Sequence, residues 1–323
     1  MLDLLSDILT KLSVKGTLYF RTSFTTPWGI AVPDYENVAR FHFVHRGSCL
    51  VMVEGAEKPV SLAQGDLIII PHGAAHSLYC AQTPKGAILP LDTVLEETGF
   101  DGTGVLVHGG GGDDNDTQLI CGHFSFEKHA QHILIERLPP LIHLKNYGED
   151  AGRWMEATLR VIGDETGGHR LGGDLIALKM SEAILAQAIR SFLESDESSQ
   201  WGLNGFSDQH LCKALDAFHK TPNAPWTVES MAKQAGMSRT SFAVQFQKKL
   251  AMPPMQYVSS WRMEIAKQCL ADPSKSLSDA AENAGYASDS AFTRVFKKET
   301  GMTPASFRKK LNSSLVQSVE RSA

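Results

Sequence analysis

The chain has 323 residues, 42 % of them hydrophobic and 21 % charged, which are the proportions of a water-soluble globular protein long enough for two domains. No apolar run approaches the roughly 18 residues of a membrane helix. The five cysteines are scattered and odd in number, which argues against a disulfide framework and for a reducing cytoplasm. The net charge of −5 hides a division: residues 1–204 carry 15 Lys and Arg against 26 Asp and Glu, and residues 205–323 carry 16 against 10. A basic C-terminal part behind an acidic one predicts a polyanionic partner for the C-terminal part alone.

The opening MLDLLSDILTKLSV has Asp3 and Asp7 inside its apolar periodicity and no basic segment before it, so a short amphipathic helix is expected, not a signal peptide. Residues 17–80 hold strand-length runs (TLYFRTSF, ARFHFVHRG, CLVMVEG, KPVSLAQGD, LIIIPHG) closed by Gly, Pro or acidic turns, the pattern of a barrel or sandwich. Two more strands are expected at 104–108 and 117–126, around GGGGDDND. That loop has no Lys-Ser/Thr for phosphate and no EF-hand frame or closing glutamate for calcium, so it reads as a strand connection. From about residue 149 the spacing becomes helical. EDAGRWMEATLRVIGDE is followed by GGDLIALKMSEAILAQAIRSFLES, with Leu175, Leu178, Ile184, Leu185, Ala188, Ile189 and Leu193 in phase. Helix 174–194 is a candidate dimer surface, or else a helix packed on its own barrel. SDESSQWGLNGFS (195–207) reads as a linker.

The C-terminal part contains a repeat. AGMSRTSFAVQFQKKLAMPPMQY (235–257) and GYASDSAFTRVFKKETGMTPASF (285–307) align at an offset of 50 residues, with Ser238/Ser288, Phe242/Phe292, Phe246/Phe296, Lys248/Lys298, Met252/Met302 and Pro254/Pro304 coinciding. Each copy follows a short helical pattern and a Gly-containing turn, and each second helix opens on a serine N-cap: the helix-turn-helix plan, twice. The phenylalanines would bury one face and leave the other free for a major groove. PPMQYVSSWRMEIAKQCLAD (253–272) would be a rigid helix joining the copies, able to set two recognition helices about 34 Å apart, one turn of DNA.

On these residues, and above all on GYASDSAFTRVFKKETGMTPASFRK, residues 208–310 resemble the DNA-binding domain of the AraC/XylS family of bacterial transcription regulators. Ala251 departs from the family's usual Gly, Ala280 from a larger aliphatic and Phe307 from Tyr. The resemblance implies base readout by Arg239, Thr240, Ala243, Val244 and Gln247 in the first motif and by Asp289, Ser290, Thr293 and Arg294 in the second. Lys248, Arg262, Lys297, Lys298 and Arg308 are the candidate phosphate contacts. Ala243 and Val244 can offer only apolar contact, so polar readout is expected to rest on the second motif, with Arg294 suited to guanine.

GDLIIIPHGAAH (65–76) is similar to the second half-motif of cupins, with Gly65, Pro71, Gly73 and His76 in place. The first half-motif departs from the pattern: the H-x-H pair is absent, and His42 in FHFVHRG lies near where its glutamate would be. PWGIAVP, FHFVHRGSCLVMVEG, AQGDLIIIPHGAAH and LICGHFSF together resemble the cupin-type sensor domain of one AraC-family branch. The implied architecture is α+β: a cupin-like β-barrel sensor (1–148), a helical dimerisation segment (149–197), a linker (198–207), an all-α double helix-turn-helix domain (208–312) and a polar tail (313–323). The implied partners are double-stranded promoter DNA, a second copy of the chain, RNA polymerase and an effector, with no membrane.

Three signals fit the pocket residues. His42, His76, Cys49 and Cys121 are a candidate zinc set. Cys49, Cys80 and Cys121 are candidate redox thiols. A metal-free barrel would instead hold an organic effector. The competing class, a cupin metalloenzyme of dioxygenase or isomerase type fused to a DNA-binding domain, is disfavoured by the missing histidine pair, so no catalytic residue is expected.

Overall fold

A computed structural model describes residues 3–311 apart from 13, 85, 103, 112–116, 127–131, 146–156, 159–160 and 162–170. Most of the helix expected over 149–165, most of the GGGGDDND loop and the tail lie outside the described residues. The chain forms two compact units, each assembled from separate stretches: Ser13–Glu127 with Leu138–Phe192, and Met1–Leu12 with Lys128–Arg137 and Leu193–Ala323. No helix among the described residues is long and apolar enough to cross a membrane.

The first unit carries two sheets. Strands β1 (Lys15–Thr25), β3 (Val38–Arg46), β6 (Leu67–Ile70), β9 (Val105–Gly109), β10 (Gln118–Ser125) and β11 (Ile142–Leu144) form one, in the order β11-β6-β3-β10-β1-β9. Strands β2 (Gly29–Val32), β4 (Ser48–Val53), β5 (Val60–Ala63), β7 (His76–Tyr79) and β8 (Leu89–Pro90) form the other, in the order β5-β4-β7-β2-β8. Among the described residues the sheets do not close into a continuous ladder, and their apolar faces share one core that includes Val44, Val51, Ile68, Ile70, Leu78 and Leu119. The LIII run of β6 is buried at all four positions, because the six-stranded sheet is covered on both faces. On its outer face Phe41 stacks on Phe124 at 5.1 Å. There helix α4 (Gly173–Glu194) comes so close that a methyl on Gly16 would lie 2.8 Å from the Ser181 Cβ.

Helix α4 buries Ser181, Ile184, Leu185, Ala188, Ile189 and Phe192, a single face at helical spacing, and leaves Leu175 and Ile176 exposed. Helix α2 (Leu91–Thr98) is an element the sequence reading lacked. It is one short turn pair, LDTVLEET, starting after Pro90 and ending on Gly99 in the left-handed conformation. Within GDLIIIPHGAAH, Gly73 has φ +65°, and a Cβ there would stand 2.2 Å from the Tyr35 carbonyl oxygen, so only glycine fits.

The second unit is helical: α1 (Leu4–Lys11), α3 (Ile133–Glu136), α5 (Gln209–Lys220), α6 (Val228–Ala235), α7 (Arg239–Leu250), α8 (Pro254–Ala271), α9 (Leu277–Asn283) and α10 (Asp289–Thr300). The two expected motifs are α6–α7 and α9–α10, joined by α8. Thr227 and Ser276 close capping boxes at the first helix of each motif, and Ser238 and Ser288 cap the second. Phe242 and Phe246 in α7 and Phe292 and Phe296 in α10 are fully buried, each pair 5.5 Å apart, so the repeat seen in the sequence is a repeat of core packing.

Residues 195–207 are not a loose linker. They form two 3-10 turns (Asp196–Ser199 and Asn204–Phe206), bury Leu203 and Phe206, and place Gly205 where a methyl would meet Leu250 Cγ at 2.5 Å. Local polarity suggested a linker; three apolar contacts decide otherwise.

Ala251 ends α7 at φ +49°, the left-handed region that favours glycine, whereas α6 and α10 end on Gly236 and Gly301. Ala251→Gly is therefore expected to stabilise the chain by about 0.5–1 kcal/mol, the relief of a strained Cβ less the greater freedom of glycine when unfolded. Urea denaturation with unchanged m-value checks this; a lower midpoint would contradict it.

Candidate nucleic-acid interface and buried histidine–cysteine cluster

Because the phenylalanines of α7 and α10 occupy one face, the opposite face is left to solvent. On α7 it presents Arg239, Thr240, Val244, Gln247 and Lys248, with Ala243 half-buried; Val244 is 60 % exposed, an unusual placement for a valine. On α10, Asp289, Ser290, Thr293, Arg294, Lys297 and Lys298 line one shallow concavity. Its three cations face one carboxylate, and Asp289 is occupied by the Ser278 hydroxyl, which donates to it at 2.9 Å. Such a surface can sit against phosphates and offer polar groups to base edges.

Two candidate phosphate contacts have other employment. Arg262 is half-buried and donates through Nε to the Pro222 carbonyl at 2.8 Å and through Nη2 to the Ala224 carbonyl at 2.6 Å. Arg308 donates through Nε to the Leu270 carbonyl at 3.2 Å. Both tie loops and helix ends inside the helical unit. This corrects their expected role, since a charge on an amphipathic helix does not reveal in sequence whether it points out or clamps a loop. Lys248, Lys297 and Lys298 remain exposed.

In the sheet unit the structure brings together His42, His76 and Cys121. His42 on β3 and Cys121 on β10 are register partners, and His76 opens β7 of the other sheet. His42 Nδ1 lies 3.1 Å from Cys121 Sγ, and its Nε2 lies 2.9 Å from His76 Nε2. His76 Nδ1 is 2.9 Å from the Ala74 carbonyl and must donate to it, so His76 Nε2 is the acceptor. His42 then donates from Nε2 and accepts the Cys121 thiol proton at Nδ1. One neutral arrangement satisfies the whole chain.

The electrostatics agree. Burial, then His76 and Arg40, hold His42 well below the ordinary histidine range. Burial lowers His76 to about 4 against a donor to Ala74. Burial also pushes the Cys121 thiol up. Arg40, only 4 % exposed and stacked 4.2 Å over the Tyr35 ring, was not singled out in the sequence. Its position two residues before His42 on the same strand face is the signal that was available. Beside the cluster lies a cavity of about 170 Å³ walled by Phe24, Ile30, Leu78 and Leu119, with Arg40, His42, Asp92, Thr22 and Tyr35 among its polar groups.

The expected zinc set does not converge. Cys121 meets the Nδ1 edge of His42 and His76 the opposite edge, so one ion cannot take all three without turning the ring. Cys49, on β4, pairs with Leu62 of β5 and has no hydrogen bond to His42, His76 or Cys121 among the described residues. Among the described residues no three His, Cys, Asp or Glu side chains are grouped to hold a metal. These residues do not fit a four-coordinate zinc site.

The chain matches a cupin family model over residues 3–194 and a helix-turn-helix domain model over 231–310. It is 32 % identical over 317 residues to a protein of Streptomyces antibioticus described as an AraC-like transcription regulator, covering 95 % of this chain and 99 % of that one. A second such protein, from Streptomyces lividans, is 31 % identical over 310 residues, 95 % of this chain and 98 % of that one. The HTH-type transcriptional regulator AlkR of Acinetobacter baylyi is 26 % identical over 310 residues, 95 % of this chain and 99 % of that one. With its two capped recognition helices behind a two-sheet domain, the chain belongs to the AraC family of DNA-binding transcription regulators.

Proposed function

We propose that the chain regulates transcription by reading double-stranded promoter DNA with the exposed faces of α7 and α10, and that its sheet unit admits the signal at the cavity beside His42 and Cys121. The observation that carries the first part is the outward face of α10, where Arg294, Lys297 and Lys298 stand free on a helix anchored by Phe292 and Phe296. The second part is supported by a cavity of about 170 Å³ with mainly apolar walls, the buried Arg40 and the Asp92 carboxylate. A cavity of that order takes a body the size of benzene. A small organic effector is favoured over zinc because the donor set is incomplete, and regulation is favoured over catalysis because the cluster is neutral and fully hydrogen-bonded.

Selection of bound DNA from a random pool tests both parts. A motif of two half-sites about one helical turn apart is expected. Occupancy is expected to change with small organic compounds and not with zinc. An unenriched pool would remove the DNA reading; a response to zinc alone would remove the effector reading.

A further inference from the structure

The sheet unit holds a second pair of sulfurs that neither the cluster nor the DNA surface uses. In the antiparallel ladder of β4 and β7, Val53 faces His76, Met52 faces Ser77, Val51 faces Leu78 and Leu50 faces Tyr79. The ladder ends at that last pair; continued by one residue, it would bring Cys80, the residue after β7, opposite Cys49, and the two line one cavity. Alternation puts Cys49 on the interior face with Val51 and Val53, and Cys80 with Leu78 and His76; all belong to the shared core except His76. Residues directly opposite in such a ladder have Cα atoms about 4.5–5.5 Å apart, inside the range a disulfide spans.

The two thiols are shielded but not sealed. They are 3 % and 4 % exposed, and both line a cavity of about 390 Å³ together with Thr26, Arg46, Gln64 and Gln82. That polar lining differs from the apolar walls of the cavity beside His42. We infer that Cys49 and Cys80 are an oxidisable dithiol that small hydroperoxides convert to a cross-strand disulfide, with Cys80 attacking and Cys49 resolving.

The roles follow from the surroundings. The Trp28 N–H donates to Cys80 Sγ at 3.4 Å, and the Thr83 hydroxyl lies 3.1 Å from it. Burial alone would raise the Cys80 thiol, and the Thr83 hydroxyl, which donates to the Trp28 carbonyl, can only accept from it; the backbone N–H groups at Trp28 and Gln82 stabilise the thiolate, and the thiol lies below its ordinary range. Burial, with Asp66 and Cys80, pushes Cys49 up to about 12. The thiolate is the nucleophile, so reaction begins at Cys80. Cys80 gives its proton to solvent, and its sulfur attacks the terminal peroxide oxygen. The S–O bond forms, the O–O bond breaks, and the departing alkoxide or hydroxide takes a proton from solvent. The Cys49 sulfur then attacks the sulfenic sulfur. The S–S bond forms, the S–O bond breaks, and the hydroxide leaves with the Cys49 proton as water. Two thiols lose two electrons, and one hydroperoxide gains them.

The other cysteines are set differently. The Cys121 thiol is hydrogen-bonded to His42, and the Cys212 thiol donates to the Phe206 carbonyl at 2.8 Å and is raised to about 11 by burial. The dithiol does not depend on the DNA or effector readings.

The full-length reduced protein, treated with a small excess of hydrogen peroxide, alkylated in denaturant and mapped by peptide mass, tests it. A Cys49–Cys80 cross-link is expected before modification of Cys121, Cys212 or Cys269. Cys49→Ala should stop at a Cys80 sulfenic acid that dimedone traps after denaturation, and Cys80→Ala should leave Cys49 reduced at the same dose. A cross-link between other cysteines, or full alkylation of Cys49 and Cys80 in peroxide-treated wild-type protein while other thiols are consumed, would overturn the assignment. The wild-type map is decisive even if a variant fails to fold.

Discussion

Arg294→Ala is expected to weaken binding to the selected DNA by about 5- to 150-fold, which is roughly 1–3 kcal/mol, and to relax base preference at one position of the second half-site. The prediction rests on an asymmetry between the two recognition helices. On α7 the residues at the centre of the exposed face are Ala243 and Val244, which have no hydrogen-bonding side-chain atoms and can only touch apolar parts of bases such as the thymine methyl. On α10 the corresponding surface offers Thr293 and Arg294, and Arg294 is exposed with the forked donor geometry that meets O6 and N7 of guanine. Val244→Ala should by contrast change affinity little and alter at most a thymine preference. Repeating the pool selection with each variant separates the cases. An equal loss across all sequences, with a shallower salt dependence, would make Arg294 a phosphate contact instead.

Tyr257→Phe is expected to destabilise the helical unit by roughly 2–6 kcal/mol, since it removes one hydroxyl and leaves two buried imidazoles each short of a partner at about 1–3 kcal/mol apiece. Tyr257 Oη lies 2.7 Å from His219 Nε2 and 3.1 Å from His132 Nε2, and His219 Nδ1 lies 3.1 Å from Asp7 Oδ2. His132 Nδ1 accepts the Leu134 N–H at 3.1 Å. His132 must therefore donate from Nε2 to Tyr257, Tyr257 donates to His219, and His219 donates to Asp7. The tyrosine is 1 % exposed, and with His132 it lines a cavity of about 220 Å³, so water entering there would reduce the loss towards the lower end of that range. Denaturation at pH 7.5 measures the loss, and a change below about 0.5 kcal/mol would show that the chain of hydrogen bonds is not the stabilising element.

The same group gives the unit an acid limit. Burial, then the neighbouring His219, holds His132 well below the ordinary range, and burial lowers His219 although Asp7 opposes it. Both are neutral when folded and bind protons near pH 6.5 when unfolded. The unfolded chain therefore gains protons first as pH falls, so stability is complete above about 6.5 and declines below it. Asp7 is held below the ordinary carboxylate range, despite burial, by His219 and Lys11, and its share persists until pH falls through that lower range. Trp261, whose ring centroid lies 4.7 Å from each histidine, supplies the fluorescence readout.

The parts legible in the sequence were those whose signal is local or periodic. The duplicated phenylalanine spacing and the Ser238 and Ser288 caps fixed both motifs, because packing and capping depend on neighbours within one turn. GDLIIIPHGAAH marked a buried strand followed by a bend, and Gly73 explains why the bend needs that residue. What was not legible depends on where distant segments meet. Cys49 was grouped with His42 and Cys121 as a metal ligand, but the hydrogen bonds of that cluster join His42, His76 and Cys121 without it. Arg262 and Arg308 looked like surface charges until carbonyls of other segments were found at their nitrogens. Residues 195–207 looked like a linker because Leu203 and Phe206 are few among polar neighbours. Helix α2 carries too short an apolar pattern to stand out.

Contacts assign residues 1–12 and 128–137 to the helical unit, so the backbone passes between the two units four times. That stitching limits modularity. A cut anywhere in 195–207 does not free a complete reader: a fragment from Gln209 onward keeps His219 and Tyr257 but loses Asp7 and His132, the two ends of its buried hydrogen-bond chain. A chimera that exchanges the sheet unit for another sensor must carry α1 and residues 132–137 with the reader. The boundary along which this chain can be recombined is therefore a set of four splice points, not one.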